Sequence, residues 1–132
     1  FKPNASISRA EFATVASRFD KLSGGSKTFT DVPSTHWAYA AITSAAEKGW
    51  VNGYSDGSFR PNNSINRAEV VKITNAVLGR SCDKNFVAVN LEKLHDYNDI
   101  NASFWAYYEI LEASNAHDYK IVSGVESWST VK

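Results

Sequence analysis

The sequence contains no methionine, one cysteine and three prolines in 132 residues, and its 14 basic side chains are balanced by 14 acidic ones. The single cysteine, Cys82, cannot form a disulfide within the chain. The net charge of zero and the lack of a basic run argue against binding to a nucleic-acid backbone as the main function, because such binding needs clustered Lys and Arg. No apolar stretch approaches the length of a membrane-spanning helix, so we expect no membrane insertion. A hydrophobic content of 43% is nevertheless sufficient to bury a core.

Two parts of the sequence are repeated. The segment FKPNASISRAE at residues 1–11 recurs as FRPNNSINRAE at residues 59–69, a shift of 58 positions. A second pair, FTDVPSTHWAYAAI from Phe29 and YNDINASFWAYYEI from Tyr97, is shifted by 68 positions. The chain is therefore built from repeats, and the second shift includes an insertion.

The insertion lies between Leu78 and Tyr97, where residues 83–94 predict one short amphipathic helix with Asp83 as its cap. This register predicts four segments, which are the second half of a repeat at 1–28, a complete repeat at 29–80, a linker helix at 81–96 and the first half of a third repeat at 97–132. We therefore expect the chain to be part of a longer tandem array.

Capping-box spacing predicts two helix starts. Ser8 and Asn66 each stand three residues before a glutamate, so the small side chain can accept from a helix amide while Glu11 or Glu69 reaches back. This structural role accounts for both glutamates. The helices are predicted to end near Leu22 and Leu78 and to bury apolar stripes, which comprise Phe12, Val15, Ala16 and Phe19 in the first and Val70, Ile73, Val77 and Leu78 in the second.

The remaining helix-start, helix-end and turn signals predict two further helices and a turn. The helices begin near Thr35 and Ser103, and Gly49 ends the first of them. The pair Asp56-Gly57, which is flanked by aromatic residues, predicts a tight hairpin turn. Together these elements predict a mainly α fold, a bundle of helices joined by short hairpin loops.

The ordered motifs resemble the S-layer homology family, whose repeats contain an aromatic-x-Asp start, a Trp-Ala pair, a Gly-Tyr-x-Asp-Gly-x-Phe-x-Pro turn and an Ile-Thr-Arg-Ala-Glu helix start. The complete repeat carries all four in order, as Phe29-Thr-Asp31, Trp37-Ala38, Gly53 to Pro61 and Ile65-Asn-Arg-Ala-Glu69. It departs from the pattern at Ser8 and Asn66, where the family often has threonine, and the tail from Asp118 lacks the turn. The resemblance implies repeats packed around a pseudo-threefold axis, here incomplete, with binding clefts between neighbouring repeats.

Arg9 and Arg67 stand at the first helical position, where the helix dipole disfavours a cation. One interpretation is a structural salt bridge, for example between Arg67 and Asp56, or between Arg9 and Glu11. Another is an external anion, held by the guanidinium and the free amides of the helix start. The resemblance implies the second, because in S-layer homology repeats this arginine contributes to a groove for an acidic, often pyruvylated, cell-wall polysaccharide.

The two tryptophans that recur in the repeats also have two interpretations. Their spacing with the following isoleucines, Ile42 and Ile110, favours packing in the core, whereas an aromatic ring can also stack on the flat face of a sugar. In the turn, a glycine lets backbone amides approach a ligand closely. The candidate ligand-binding residues are therefore Arg9, Trp37, Asp56, Gly57, Arg67 and Trp105.

The sequence spacing does not favour other kinds of site. His36, His95, His117 and Cys82 lie far apart along the chain, so we expect no metal site and interpret each histidine as a lone surface residue. No pair of catalytic carboxylates or nucleophile signature is identifiable, so we expect neither enzyme activity nor a cofactor.

The resemblance implies a non-catalytic module that anchors a secreted bacterial protein to the cell envelope. Its expected partner is an anionic secondary cell-wall polysaccharide, and its expected location is extracellular, at the cell wall or S-layer. The alternative is an assembly module, in which the apolar helix faces of the half repeats pair with another copy of the chain or with another surface-layer protein.

Overall fold

The computed structural model of the protein describes residues 4–132, so Phe1, Lys2 and Pro3 of the first motif lie outside the described residues. Five α-helices and one antiparallel two-stranded sheet occur between residues 4 and 132, which confirms the predicted mainly α fold. The elements are α1 Arg9–Ala16, α2 Tyr39–Glu47, α3 Arg67–Leu78, α4 Lys84–Asn90, α5 Tyr107–Ser114, β1 His117–Val122 and β2 Val125–Val131.

The chain forms two compact units, one ending at Arg67 and one beginning at Ala68. None of the helices within residues 4–132 combines the length and the apolar composition that crossing a membrane requires.

In the first unit, α1 packs against α2 through small side chains. Ala10, Ala13 and Ala16 form the buried face of α1, with 1%, 0% and 4% of their surface exposed. The predicted stripe of larger residues is therefore wrong in part, since Val15 and Phe19 are exposed. The α-helix ends at Ala16, before the predicted end at Leu22, and a 3-10 turn follows over the next three residues. Because a 3-10 turn has a different period, Phe19 does not continue the α-helical face.

The two helices that follow a Trp-Ala pair begin four residues later than predicted, α2 at Tyr39 and α5 at Tyr107. The residues before them form turns, so Trp37 and Trp105 lie outside the helices. Their predicted burial is wrong, because the helical period that suggested it applies only to residues within a helix. Gly49, by contrast, lies directly after the C-cap of α2 with a φ of 73°, as predicted.

Residues 51–61 form a loop that contains the predicted tight turn. The amide of Gly57 donates to the carbonyl oxygen three residues earlier at 3.0 Å, and Gly57 has a φ of 80°. Asp31 holds the end of this loop, because its Oδ1 accepts from Phe59 N at 2.8 Å and its Oδ2 from Arg60 N at 2.7 Å. One carboxylate thus satisfies two adjacent backbone donors and fixes loop 51–61 to the start of the complete repeat.

The two copies of the repeated motif meet in the first unit. Ser8 and Ser64 form an isolated antiparallel bridge. Next to it, Arg9 N donates to Asn63 O at 2.8 Å. The first turn of α1 therefore lies beside the end of loop 51–61.

Both predicted capping positions lie at helix starts. Ser8 Oγ accepts from Glu11 N at 3.2 Å, and Ser8 N donates to Glu11 Oε2 at 2.8 Å, which is a complete capping box on α1. Asn66 immediately precedes α3, and Glu69 lies in the first turn of that helix.

The second unit has its own core, made of the buried side chains Val87, Leu94, Tyr107, Leu111 and Trp128. Asp83 connects two of its elements. Its Oδ1 accepts from Phe86 N at 3.0 Å, which caps α4 as predicted, and its Oδ2 accepts from Trp128 N at 3.1 Å in β2. The cap of the inserted helix is therefore hydrogen-bonded to strand β2.

Residues 117–131 form a β-hairpin that the sequence analysis did not predict. Its strands are joined by Ser123 and Gly124, which have φ values of 52° and 82°. Positive φ at both central residues is the backbone of a two-residue hairpin turn that matches the twist of the strands. Val122 pairs with Val125 across this turn.

Asp31→Ala should lower the free energy of unfolding by about 1.5 to 3 kcal/mol, because two adjacent amides lose a charged acceptor. Urea unfolding followed by circular dichroism measures this loss. Asp99→Ala is the matched control, since Asp99 is the equivalent aspartate of the third repeat, is exposed, and accepts no hydrogen bond from residues 4–132. Its change should stay below about 0.5 kcal/mol, and equal losses in the two variants would contradict the role of Asp31.

Candidate functional site

Arg9 is a buried arginine, 7% exposed, at the first position of α1. Its Nε donates to Phe59 O at 2.9 Å, and its Nη2 donates to Asn52 O at 3.0 Å. The guanidinium carbon lies 4.7 Å from the centroid of the Phe59 ring and 5.0 Å from that of Tyr54. Carbonyl oxygens and aromatic faces both stabilise a positive charge, so Arg9 fastens α1 to loop 51–61.

Tyr54 contacts a second arginine as well, since the guanidinium carbon of Arg60 lies 3.8 Å from its ring centroid. Arg60 Nη2 also pairs with Asp56 Oδ2 at 3.1 Å. The other oxygen of Asp56 accepts from the Ser58 hydroxyl at 2.6 Å and from the Ser58 amide at 2.9 Å. The Ser58 hydroxyl, the Ser58 amide and Arg60 together lower the pKa of Asp56 to about 2, so this carboxylate is ionised at neutral pH.

Arg67, unlike Arg9, is exposed. Its side chain forms no hydrogen bond or ion pair with the part of the chain that the structure describes, and Asp56 pairs with Arg60, so the alternative of an Arg67–Asp56 salt bridge is wrong. The repeat spacing explains the difference. With the shift of 68 positions, a third copy of loop 51–61 would fall at residues 119–129, and these residues belong to the β-hairpin. The chain supplies this kind of loop for Arg9 but not for Arg67.

Trp37 and Trp105 occupy equivalent positions of two repeats and are 64% and 55% exposed. The ring of His36 lies 5.7 Å from that of Trp37 at an interplanar angle of 28°, and the ring of Phe104 lies 5.8 Å from that of Trp105. Lys72 Nζ is 5.8 Å from the Trp105 ring centroid. Each repeat therefore presents an indole to solvent, and the second indole has a cation beside it.

The structure brings together only part of the predicted site. Arg9 is bonded to loop 51–61, which contains Asp56 and Gly57, whereas Trp37 and Trp105 belong to different units. The sequence analysis missed three residues with aromatic or charged side chains at these positions, namely Tyr54, Arg60 and Lys72. A recurring basic residue between Phe and Pro, Lys2 in the first motif and Arg60 in the second, is a signal that could have indicated Arg60.

Cys82 is half-buried, and burial raises the pKa of its thiol to about 12. The thiol is therefore protonated at neutral pH and is a poor nucleophile.

His117 is not the surface residue that its isolation in the sequence suggested, because its side chain is 1% exposed. Its Nε2 lies 3.2 Å from Glu126 Oε2 and 3.6 Å from Glu112 Oε2, and Arg80 pairs with both glutamates. Burial raises the pKa of Glu112, and the neighbouring His117 and Arg80 act in the opposite direction. The four residues are brought together by the hairpin, which explains why their sequence spacing did not reveal them.

Arg9 and Arg67 should differ in their effect on stability. Arg9→Ala removes two charged donors and the ring contacts of a buried side chain, so it should lower the free energy of unfolding by about 2 to 4 kcal/mol. Arg67→Ala should change it by less than about 0.5 kcal/mol, because its side chain is exposed and a cation at a helix start is mildly unfavourable. Thermal and urea unfolding of the two variants measure the contrast. A stable Arg9→Ala protein would show that loop 51–61 does not depend on Arg9.

Comparison with known proteins identifies the family to which this chain belongs. Residues 28–71 match the family model described as S-layer homology domain. The chain is 38% identical over 127 residues to a cellulosome-anchoring protein of Acetivibrio thermocellus, a match that covers 92% of this chain and 27% of that protein. It is 36% identical over 133 residues to cell surface glycoprotein 1 of the same organism, covering 92% of this chain and 5% of that protein.

A third relative is the S-layer protein EA1 of Bacillus anthracis, which is 36% identical over 73 residues, or 55% of this chain and 8% of that protein. The chain thus spans about a quarter or less of the length of these relatives. The matched repeat is the one that carries all four motifs, and the three relatives are by name an anchoring protein, a cell surface glycoprotein and an S-layer protein. The chain belongs to the S-layer homology domain family and is a module of the bacterial cell wall or cell surface.

Proposed function

We propose that this chain is a non-catalytic module that anchors a larger bacterial protein to the cell surface by binding an anionic cell-wall polysaccharide. Membership of the S-layer homology family supports cell-surface anchoring, as does the similarity to a relative named as a cellulosome-anchoring protein. The observation that carries the proposal is the exposure of Trp37 and Trp105 at equivalent repeat positions.

An indole that is more than half exposed leaves a large apolar surface in contact with water. A single exposed apolar residue needs no explanation, but the same exposure at the same position of two repeats indicates a shared role. The flat face of a pyranose can cover such a ring and remove this surface from water. We infer that each tryptophan forms one wall of a sugar-binding site.

Two cations support an acidic ligand. Arg67 is exposed at the start of α3, where its guanidinium and the helix-start amides can receive a carboxylate together. Lys72 places a positive charge next to the Trp105 ring. A sugar that carries a carboxylate, for example in a pyruvate ketal, would stack on the Trp105 ring and pair its carboxylate with Lys72.

In this proposal Arg9 acts on loop 51–61 and not on the ligand directly. Its two hydrogen bonds to carbonyl oxygens of the loop hold the turn that contains Asp56 and Gly57. These two residues are exposed and remain candidates for ligand contact. Because a polymer offers many equivalent sugars, several weak sites on one array can give strong attachment through effective concentration.

Self-association is the second candidate, and the hairpin favours it. Val122 and Val125 pair across the turn on one face of the hairpin and are 55% and 56% exposed, so they form an exposed apolar patch, while Ile121, 58% exposed, lies on the other face. Such a patch can pair with another copy of the chain or with another surface protein. Light scattering over a range of concentrations tests this, and a mass that stays monomeric at all of them would exclude self-association.

The polysaccharide proposal is tested by co-sedimentation with purified bacterial sacculi before and after chemical removal of the secondary polymer. Wild-type protein should bind the intact sacculi and lose that binding after the removal. Arg67→Ala, Trp37→Ala and Trp105→Ala should each weaken binding about tenfold or more, which corresponds to roughly 1.4 kcal/mol, without loss of helical circular dichroism.

Arg18→Ala and Phe19→Ala are matched controls, because these neighbours are an exposed arginine and an exposed aromatic residue outside the repeated motifs. Both should bind as the wild type does. Binding that survives removal of the polymer, or that falls equally in the control variants, would contradict the proposed ligand and site.

A further inference from the structure

Three potential metal ligands from different elements meet in the second unit. Glu112 comes from α5, His117 from β1 and Glu126 from β2, and the side chains are 2%, 1% and 0% exposed. One ligand atom from each residue lies within 4.8 Å of the other two. Buried carboxylates must be paired with a cation, because an unpaired charge is costly away from water.

The distances between the ligand atoms suit a small divalent cation. The Nε2 atom of His117 lies 3.2 Å from Glu126 Oε2 and 3.6 Å from Glu112 Oε2. Zn²⁺ with bonds of about 2.0 to 2.2 Å in tetrahedral geometry holds neighbouring ligand atoms roughly 3.3 to 3.5 Å apart. Both distances from His117 Nε2 are therefore close to the separation that such an ion requires, and the two carboxylates supply ligand atoms within 4.8 Å of each other.

The orientation of His117 is also that of a metal ligand. Its Nδ1 lies 2.6 Å from the carbonyl oxygen of Asn115, which can only accept, so Nδ1 carries the proton. In the neutral imidazole the lone pair is then on Nε2, the atom that faces the carboxylates. The ring is stacked on Trp128 at a centroid distance of 3.7 Å. A hydrogen bond from the far nitrogen commonly fixes a ligating histidine in this manner.

Arg80 is the cation that now pairs with the cluster. Its Nη2 is 2.9 Å from Glu112 Oε1 and 3.1 Å from His117 Nε2, and its Nε pairs with Glu126. The pairing is incomplete, because Glu112 Oε2 has no hydrogen-bond partner among residues 4–132. When His117 is neutral and both carboxyl groups are ionised, two carboxylates face one guanidinium, which leaves one negative charge in a buried cluster.

Arg80 is also partly exposed to solvent. Its side chain is 31% exposed and borders an open pocket of about 440 Å³ that Glu112, His117 and Tyr119 help to line. For an ion to bind, the guanidinium would have to turn into this pocket. The pocket would at the same time give an ion a path to the cluster.

We propose that Glu112, His117 and Glu126 form a binding site for a divalent cation of the Zn²⁺ type, and that Arg80 competes with the ion for it. The ion would take one nitrogen and two carboxylate oxygens, with a fourth position for water. Imidazole together with carboxylates is a ligand set that Zn²⁺ accepts. A bound ion would join α5 to both strands of the hairpin. This proposal does not depend on polysaccharide binding.

Calorimetric titration with Zn²⁺ alone, in metal-free buffer, tests the proposal. Wild-type protein should bind one ion per chain. Arg80→Met keeps the apolar stem but removes the competing charge. If Arg80 occupies the site at least nine-tenths of the time, this variant should bind at least about tenfold more tightly. His117→Gln should bind at least about tenfold more weakly, because it loses a ligand. Thermal unfolding with and without Zn²⁺ gives a second readout, in which the ion should raise Tm most in Arg80→Met.

His95→Gln is the matched control, since His95 is an exposed histidine of the same unit. It should bind Zn²⁺ as tightly as the wild type does. Absence of binding in both wild type and Arg80→Met would overturn the proposal, as would equal binding in wild type and His117→Gln. An Arg80→Met protein that stays unfolded with and without Zn²⁺ would also count against it, because a bound ion should replace the lost charge. Any of these results would leave a buried ion-pair network only.

Discussion

The guanidinium of Arg9 is the interaction on which the first unit depends. One repeat contributes the arginine, and the next contributes the carbonyl oxygens and aromatic rings that receive it. Because the hydrogen-bond acceptors are backbone atoms, the two hydrogen bonds depend on the shape of loop 51–61, whereas the ring contacts depend on Tyr54 and Phe59. Asp31 fixes the same loop from the other direction. A repeat of this kind is therefore complete only when its neighbour is present, which is the general condition for tandem arrays.

Local signals in the sequence predicted much of this fold. The Ser8–Glu11 spacing, Asp83, Gly49 and the Asp56-Gly57 pair each specify a cap or a turn through one or two hydrogen bonds, so a few neighbouring residues contain the information. The Asn66–Glu69 spacing predicted the start of α3, and the extra residues between the repeats predicted α4. The hairpin could also have been found, because Ser123-Gly124 flanked by β-branched residues is a turn signal that the repeat alignment obscured.

The site was harder to predict, because its features are set by contacts distant in sequence. Nothing near Arg9 or Arg67 indicates that one is buried and the other exposed; the difference arises from a loop present in one repeat and replaced by a hairpin in the next. The spacing of Trp37 and Trp105 fits a helical period, yet the helices start after them. The cluster around His117 draws on four segments, so no spacing rule could identify it. Similarity between repeats thus predicts where helices and turns lie better than it predicts which side chains are exposed.

Because each oxygen of Asp83 accepts from a different backbone amide, loss of the inserted segment would affect more than the segment itself. One oxygen starts α4 and the other receives the amide of Trp128, whose side chain is part of the second core. The inserted segment is therefore not a neutral spacer. A shorter connection between Leu78 and Tyr97 would leave a strand amide without its acceptor and the indole without its support. Insertion and hairpin are expected to be inherited together in proteins that carry either one.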